Sequence, residues 1–290
     1  MNTPFSTFHP MPSTAKATTL PALAWLATFR RHAFALQLMS AVAAYALPLI
    51  ASAEPPPHAR GALPTVVLVH GAWADGSSWN HVIARLHARG LTVVSVQNQL
   101  NSLADDVAEV QRVIERQAAP VVLVGHSWGG TVVTQAGNAD KVAALVYIAA
   151  FAPAPGESTN DVQRSHPLPG YVPLLQPDPA GYLWFPQDAL PTWFAQDVPR
   201  REGRLLATTQ NPIRASAFDD KVSQAAWQSR PSWYLVTDQD KMIYPDLQVT
   251  MARRIGARTT HVRSSHVPFL SKPEDTAAVI LHAVNTVSGR

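Results

Sequence analysis

The sequence predicts a mostly parallel, doubly wound α/β sheet with an inserted cap. Short, uninterrupted β-branched runs recur, Thr65-Val66-Val67-Leu68-Val69 and Val121-Val122-Leu123-Val124 among them, as strands buried on both faces require. Stretches with apolar residues at helical spacing lie between them. The alternation breaks over residues 153–228, rich in proline and aromatics, and then resumes.

The elements follow in order. Residues 65–69 form the first strand. Residues 78–88 read as a helix, with Val82, Ile83 and Leu86 on one face and Gly90 ending it. Residues 91–96 form the next strand. Ser102 and Asp105 are placed for a capping box, opening a helix whose apolar stripe is Val107, Val110, Val113 and Ile114. Strands at 121–124 and 143–149 follow, with a packed helix at 131–136 between them. The cap, 153–228, shows no clean strand. Beyond it come a strand at 232–236, a helix near 245–255, a strand at 260–264 and a last helix from Pro273. Pro245 and Pro273 suit first-turn positions.

The chain has 290 residues, 47% hydrophobic and 15% charged, enough to bury one sizeable core. It has no cysteine, which excludes disulfides, a thiol nucleophile and thiolate metal sites. The formal charge of +3 arises in residues 1–53, which hold Lys16, Arg30 and Arg31 and no acidic residue. The remainder carries 20 basic and 20 acidic residues, so neither nucleic acid nor a membrane surface is an expected partner. Arg30-Arg31-His32, an apolar run over 33–50 and then Ala51-Ser52-Ala53 read as a signal peptide cut after Ala53. The expected location is therefore secreted or periplasmic, with no stable membrane insertion once the leader is removed; an uncleaved anchor is the alternative. Residues 54–63, with Pro55-Pro56-Pro57, read as a linker, and 64–290 as the folded domain.

The most informative motif is Gly125-His126-Ser127-Trp128-Gly129-Gly130, directly after the strand at 121–124. It reads as a nucleophile elbow. The turn is tight enough that the residues two before and two after the serine must lack side chains. A serine hydroxyl needs a base, and the base needs an orienting acid. His266, after a late strand, is the candidate base. The acid should follow the strand at 232–236, where Asp238 and Asp240 both stand in Thr237-Asp238-Gln239-Asp240-Lys241; spacing does not choose between them. The backbone N–H groups of Trp128 and of Ala72, in His70-Gly71-Ala72-Trp73, are the candidate oxyanion donors. No metal-ligand spacing is evident, and neither a metal nor a cofactor is expected.

These motifs, with Ser265-His266, resemble the α/β-hydrolases, specifically the branch of plant methylesterases, hydroxynitrile lyases and related bacterial esterases, over roughly residues 64–286. The resemblance implies a Ser-His-Asp hydrolase of esters of small, apolar molecules. It also implies that the acid is the aspartate directly before Lys241, which is Asp240. The family's lyases carry a lysine after the catalytic histidine and a threonine near the oxyanion loop. Here Val267 and Gly71 stand at those places, which favours ester hydrolysis. A lyase or cofactor-free oxidative enzyme on the same scaffold, or a non-catalytic small-molecule binder, are the other expectations.

Overall fold

A computed structural model describes residues 63–290. The expected signal peptide, and all but the last residue of the expected linker, lie outside the described residues. Six parallel strands form one sheet: β1 (Thr65–Val69), β2 (Val93–Val96), β3 (Val121–His126), β4 (Val142–Ile148), and, beyond an insert, β8 (Ser232–Thr237) and β9 (Arg258–Val262). Their spatial order is β2-β1-β3-β4-β8-β9. The chain leaves β1 towards one edge and returns at β3 to build towards the other. The crevice at the carboxyl ends of β1 and β3 is thus a switch point, where open α/β sheets bind ligands.

β1, β3 and β8 are buried along their whole length, as the β-branched runs of β1 and β3 predict. Helices α1 (Asn80–His87), α2 (Leu103–Glu115) and α3 (Trp128–Ala136), with α7 (Pro245–Arg254), α8 (Pro268–Ser271) and α9 (Pro273–Val287), accompany them. α2 buries Val107, Val110 and Ile114 of the expected stripe, while Val113 is half-buried. Ser102 accepts the Asp105 N–H, so only this half of the expected capping box forms. The expected start of α1 at 78 is a 3-10 turn, Gly76–Trp79, capped by Asp75. β2 begins two residues late because the Leu91 N–H bonds back to Leu86 of α1.

Two further expectations differ. The last strand runs over 258–262 rather than 260–264, so His266 stands four residues beyond its end. β9 is an edge strand, exposed until Val262, and its Arg-Thr-Thr-His-Val sequence carries little apolar signal. The region between β4 and β8 does contain strands: β5 (Gln176–Pro177), β6 (Tyr182–Trp184) and β7 (Ile213–Arg214) pair antiparallel in a small sheet. Runs of two or three residues are too short to show alternation. Helices α4 (Thr159–Gln163), α5 (Leu190–Trp193) and α6 (Arg200–Thr209) complete the insert. It is fastened over the switch point. Trp73 N–H donates to Asn211 O (3.0 Å), its indole N–H to Leu183 O (2.9 Å), and Arg214 N–H to Leu100 O (2.9 Å).

Leu123 lies at the centre of β3 and is 0% exposed, whereas Leu205 on α6 is 57% exposed. Leu123→Ala is expected to cost about 3 kcal/mol and Leu205→Ala less than about 0.5 kcal/mol. Urea unfolding of the two variants measures the contrast; equal losses would contradict this core.

Candidate active site

The elbow is built as its glycines require. Ser127 sits at φ 53° and ψ −122°, outside the usual regions for a side-chain-bearing residue. A Cβ on Gly129 would lie 2.5 Å from Val69 O, and one on Gly125 2.5 Å from Gly129 O. The strand β3, the turn and α3 therefore close only around bare Cα atoms. Gly71 has the same function in the facing loop, since a Cβ there would lie 2.7 Å from Ser127 Cβ. This brings Ala72 beside the serine. Neither the Ala72 N–H nor the Trp128 N–H donates a hydrogen bond among the described residues. Trp128 opens α3, so its N–H is one of the unpaired donors of a helix N-terminus.

His266 and Asp240 meet beside the elbow, where His126, the residue before the serine, donates to the His266 carbonyl. His266 Nδ1–H donates to Asp240 Oδ2 at 2.7 Å, and both side chains are sealed from solvent. The carboxylate is saturated. Oδ2 also accepts from Thr237 Oγ1 (2.9 Å) and Gln248 Nε2 (2.8 Å), and Oδ1 accepts from the N–H groups of Met242 (2.7 Å) and Ile243 (3.0 Å). A carboxylate held this way fixes the imidazole's orientation and tautomer. Asp238 stands apart, exposed, with its carboxylate 2.8 Å from His261 Nδ1. Of the two carboxylates that spacing left open, the fold brings Asp240 to His266. His266 Nε2 is buried and unpartnered; it makes no hydrogen bond to Ser127. Such contacts commonly tighten only when substrate is bound.

Two more buried histidines flank the site, and both are neutral. His70 donates from Nδ1 to Gly71 O (2.9 Å) and accepts the Asn98 N–H at Nε2 (2.9 Å), which pins the loop carrying Ala72. Burial lowers its pKa. His126 donates from Nε2 to the His266 carbonyl (2.8 Å), its ring 4.6 Å from the His266 ring. Burial, and then the neighbouring His266, hold its pKa well below the ordinary histidine value.

Sequence reasoning missed three supporting residues. Gln248 on α7 braces Asp240 and accepts the Thr237 N–H. His126 was visible only as a filler in the elbow motif. Asp106 is fully buried on α2, where it accepts the Trp128 indole N–H (2.8 Å) and the Leu100 N–H (2.9 Å). Burial raises its pKa. The one available signal was an acidic residue beside Val107, on the apolar side of an amphipathic helix.

Ser127 and Ala72 lie at a cavity of about 320 Å³, whose largely apolar lining includes Trp73, Phe151, Tyr171, Phe218, Met242 and Ile243, with Thr159, Asn160, Gln163 and Asp219 as its other polar residues. A larger, open groove of about 530 Å³ beside α2 holds none of these groups. Phe185 and Phe194 are fully buried against Trp73 and pack rather than line the cavity. Among the described residues no three His, Asp or Glu side chains cluster to hold a metal ion, and no helix is long and apolar enough to cross a membrane.

The family model "Alpha/beta hydrolase family" matches residues 66–279. The chain belongs to the α/β-hydrolase family. A putative chloroplastic methylesterase of Arabidopsis thaliana is 23% identical over 245 residues, covering 74% of this chain and 70% of the relative. A pyrethroid hydrolase of Sphingobium wenxiniae is 23% identical over 258 residues, covering 74% and 85%. The crystal structure of polyneuridine aldehyde esterase superposes with a TM-score of 0.67 at 17% identity, covering 76% of this chain and 99% of that one. The six-stranded parallel sheet with its small antiparallel insert is thus an α/β-hydrolase fold, related distantly to plant methylesterases and bacterial pyrethroid hydrolases.

The neutral histidines predict a pH dependence. Below about pH 6.5 an unfolded chain protonates both imidazoles, while the folded chain resists. Stability contributed by the neutral forms is present above that value and is lost as the pH falls through it. The urea midpoint is expected to drop between about pH 7.5 and about pH 5; an unchanged midpoint would contradict the neutral assignment.

Proposed function

We propose that this hydrolase cleaves carboxylic esters of small, apolar molecules through an acyl-enzyme. The observation that carries the reading is the buried Asp240–His266 pair beside the elbow, together with Ser127 opening on a largely apolar cavity and the unpaired N–H groups of Ala72 and Trp128. Ser127 attacks the ester carbonyl, and His266 Nε2 takes its proton. The N–H groups of Ala72 and Trp128 stabilise the oxyanion. His266 returns the proton to the leaving alcohol, and the acyl group stays on Ser127. Water, deprotonated by His266, then releases the acid. Asp240 keeps the imidazole in the Nδ1–H tautomer and stabilises the imidazolium. With His70 and His126 neutral, the imidazolium is the histidine cation of the site during turnover.

Relatives named methylesterase and pyrethroid hydrolase support ester chemistry. Val267 after His266 and Gly71 in the oxyanion loop favour it over the lyase chemistry of the same scaffold. The apolar walls favour an apolar acyl or alcohol group.

The test is a panel of aryl esters of graded chain length, run beside a cyanohydrin, with fluorophosphonate labelling of the active serine. Ester turnover with labelling at Ser127 is expected. Ser127→Ala should lower kcat by about 10⁴-fold or more, Asp240→Asn by about 10³-fold or more, and Asp238→Asn by less than about twofold. Turnover surviving in Ser127→Ala, or a wild type that never labels, would refute the nucleophile. Cyanohydrin cleavage without ester cleavage would move the enzyme to the lyases.

We further infer export, with the leader 1–53 removed and 54–63 linking to the domain. N-terminal sequencing of protein expressed with its leader should begin at Glu54. Retention of residues 1–53 would overturn this.

A further inference from the structure

The insert reaches the catalytic loops as well as the cavity. Directly after α5 starts, residues 192–197 cross both the loop that follows β8 and the loop that follows β9. Gln196 Nε2 donates to Gln239 O at 2.6 Å, and Gln239 immediately precedes Asp240. Asp197 Oδ2 accepts the Ser265 N–H at 3.0 Å, and Ser265 immediately precedes His266. Lys241, immediately after Asp240, donates to Thr192 O at 3.2 Å and lies 5.8 Å over the Trp193 ring. Phe194 is fully buried, with its ring 5.0 Å from that of His266 at 76°. Consecutive side chains of one segment thus grip the backbone next to the acid and next to the base.

We infer that residues 192–197 form a strap that sets the acid–base pair, with Gln196 and Asp197 as positioning residues acting through Gln239 and Ser265. The inference rests on the reading of Ser127, Asp240 and His266 as the catalytic groups. Three features separate this from ordinary packing. Gln196 and Asp197 are not among the residues that line the cavity, and both bond to loop backbone. Asp197 is exposed, so its removal leaves no void in the core. Its bond is charge-assisted and falls on a loop, the kind of backbone that otherwise moves most. His266 Nε2 still lacks its bond to Ser127, and the backbone at 265 sets where that nitrogen lies. Small displacements of a catalytic group cost rate rather than affinity. The insert is then part of the catalytic apparatus as well as a wall of the pocket.

The experiment compares wild type, Asp197→Ala, Asp197→Asn and Gln196→Ala in the full chain. Three readouts are taken: kcat and KM on a short-chain aryl ester, the rate of fluorophosphonate labelling at Ser127, and the proton resonance of the His266 Nδ1–H. Asp197→Ala should slow kcat and labelling about tenfold with KM within about twofold, and should shift or broaden the Nδ1–H resonance. Gln196→Ala should act in the same direction. Asp197→Asn, whose amide oxygen still accepts the Ser265 N–H, should restore at least about half of the lost rate. Wild-type kcat, labelling and resonance in Asp197→Ala and Gln196→Ala would overturn the strap. So would a loss expressed in KM alone, or one that Asp197→Asn does not relieve. A wild type that fails to label counts against Ser127 as nucleophile, and the resonance arm then decides the strap by itself.

Discussion

The buried carboxylate of Asp240 is the constraint around which the carboxyl end of the sheet is organised. A carboxyl group at 3% exposure is costly to bury unless its oxygens are fully engaged. Five donors meet that demand here, drawn from four parts of the chain. Thr237 ends β8, the Met242 and Ile243 N–H groups curl the following loop, Gln248 projects from α7, and His266 arrives from the loop after β9. A change at any of them leaves a charge underserved in the interior. This is why the loop after β8, although irregular, is one of the most closely specified segments of the molecule.

The opposite wall of the site solves a different problem, the close approach of two backbones. Gly71 and Gly129 let the loop after β1 and the start of α3 come together, and Ser127 holds a positive φ between them. The orphan N–H groups of Ala72 and Trp128 are the product of that crowding. His70 and Asp106 hold the two sides in place. His70 ties the Gly71 carbonyl to the Asn98 N–H, and Asp106 holds the Trp128 indole. Every catalytic loop is also touched by the insert, through Trp73 on one side and through residues 192–197 on the other. Closure of the cavity and alignment of the reacting groups are therefore not independent in this fold.

Much of the sheet was legible because a strand buried on both faces has no polar positions to obscure it. β1, β3 and β8 announce themselves in this way, and α2 does so through its stripe and its Ser102 cap. β9 was misplaced by two residues because an exposed edge strand lacks that pattern, and β5, β6 and β7 were invisible because they are too short to alternate. Ser127 and His266 stood out by motif and by position after strands. Gln248 did not, since nothing in its immediate neighbours distinguishes it from an ordinary polar residue; Asp106 showed only as an acidic residue on the apolar side of α2, and His126 only as part of the elbow motif.

By itself the sequence determined the features whose physics is local. The elbow depends on steric exclusion within five residues, and the strands on their own apolar runs. The tertiary structure alone decided the features that join distant segments. Spacing left Asp238 and Asp240 open, the family resemblance pointed to Asp240, and only the fold shows it meeting His266, 26 residues away; Asp106 meets Trp128 across 22 residues, and Asp197 meets Ser265 across 68. A hydrogen bond between such positions leaves no periodicity along the chain. It exists only once the sheet has brought the ends of its strands to one edge, where burial then dictates which charges survive and which histidines stay neutral.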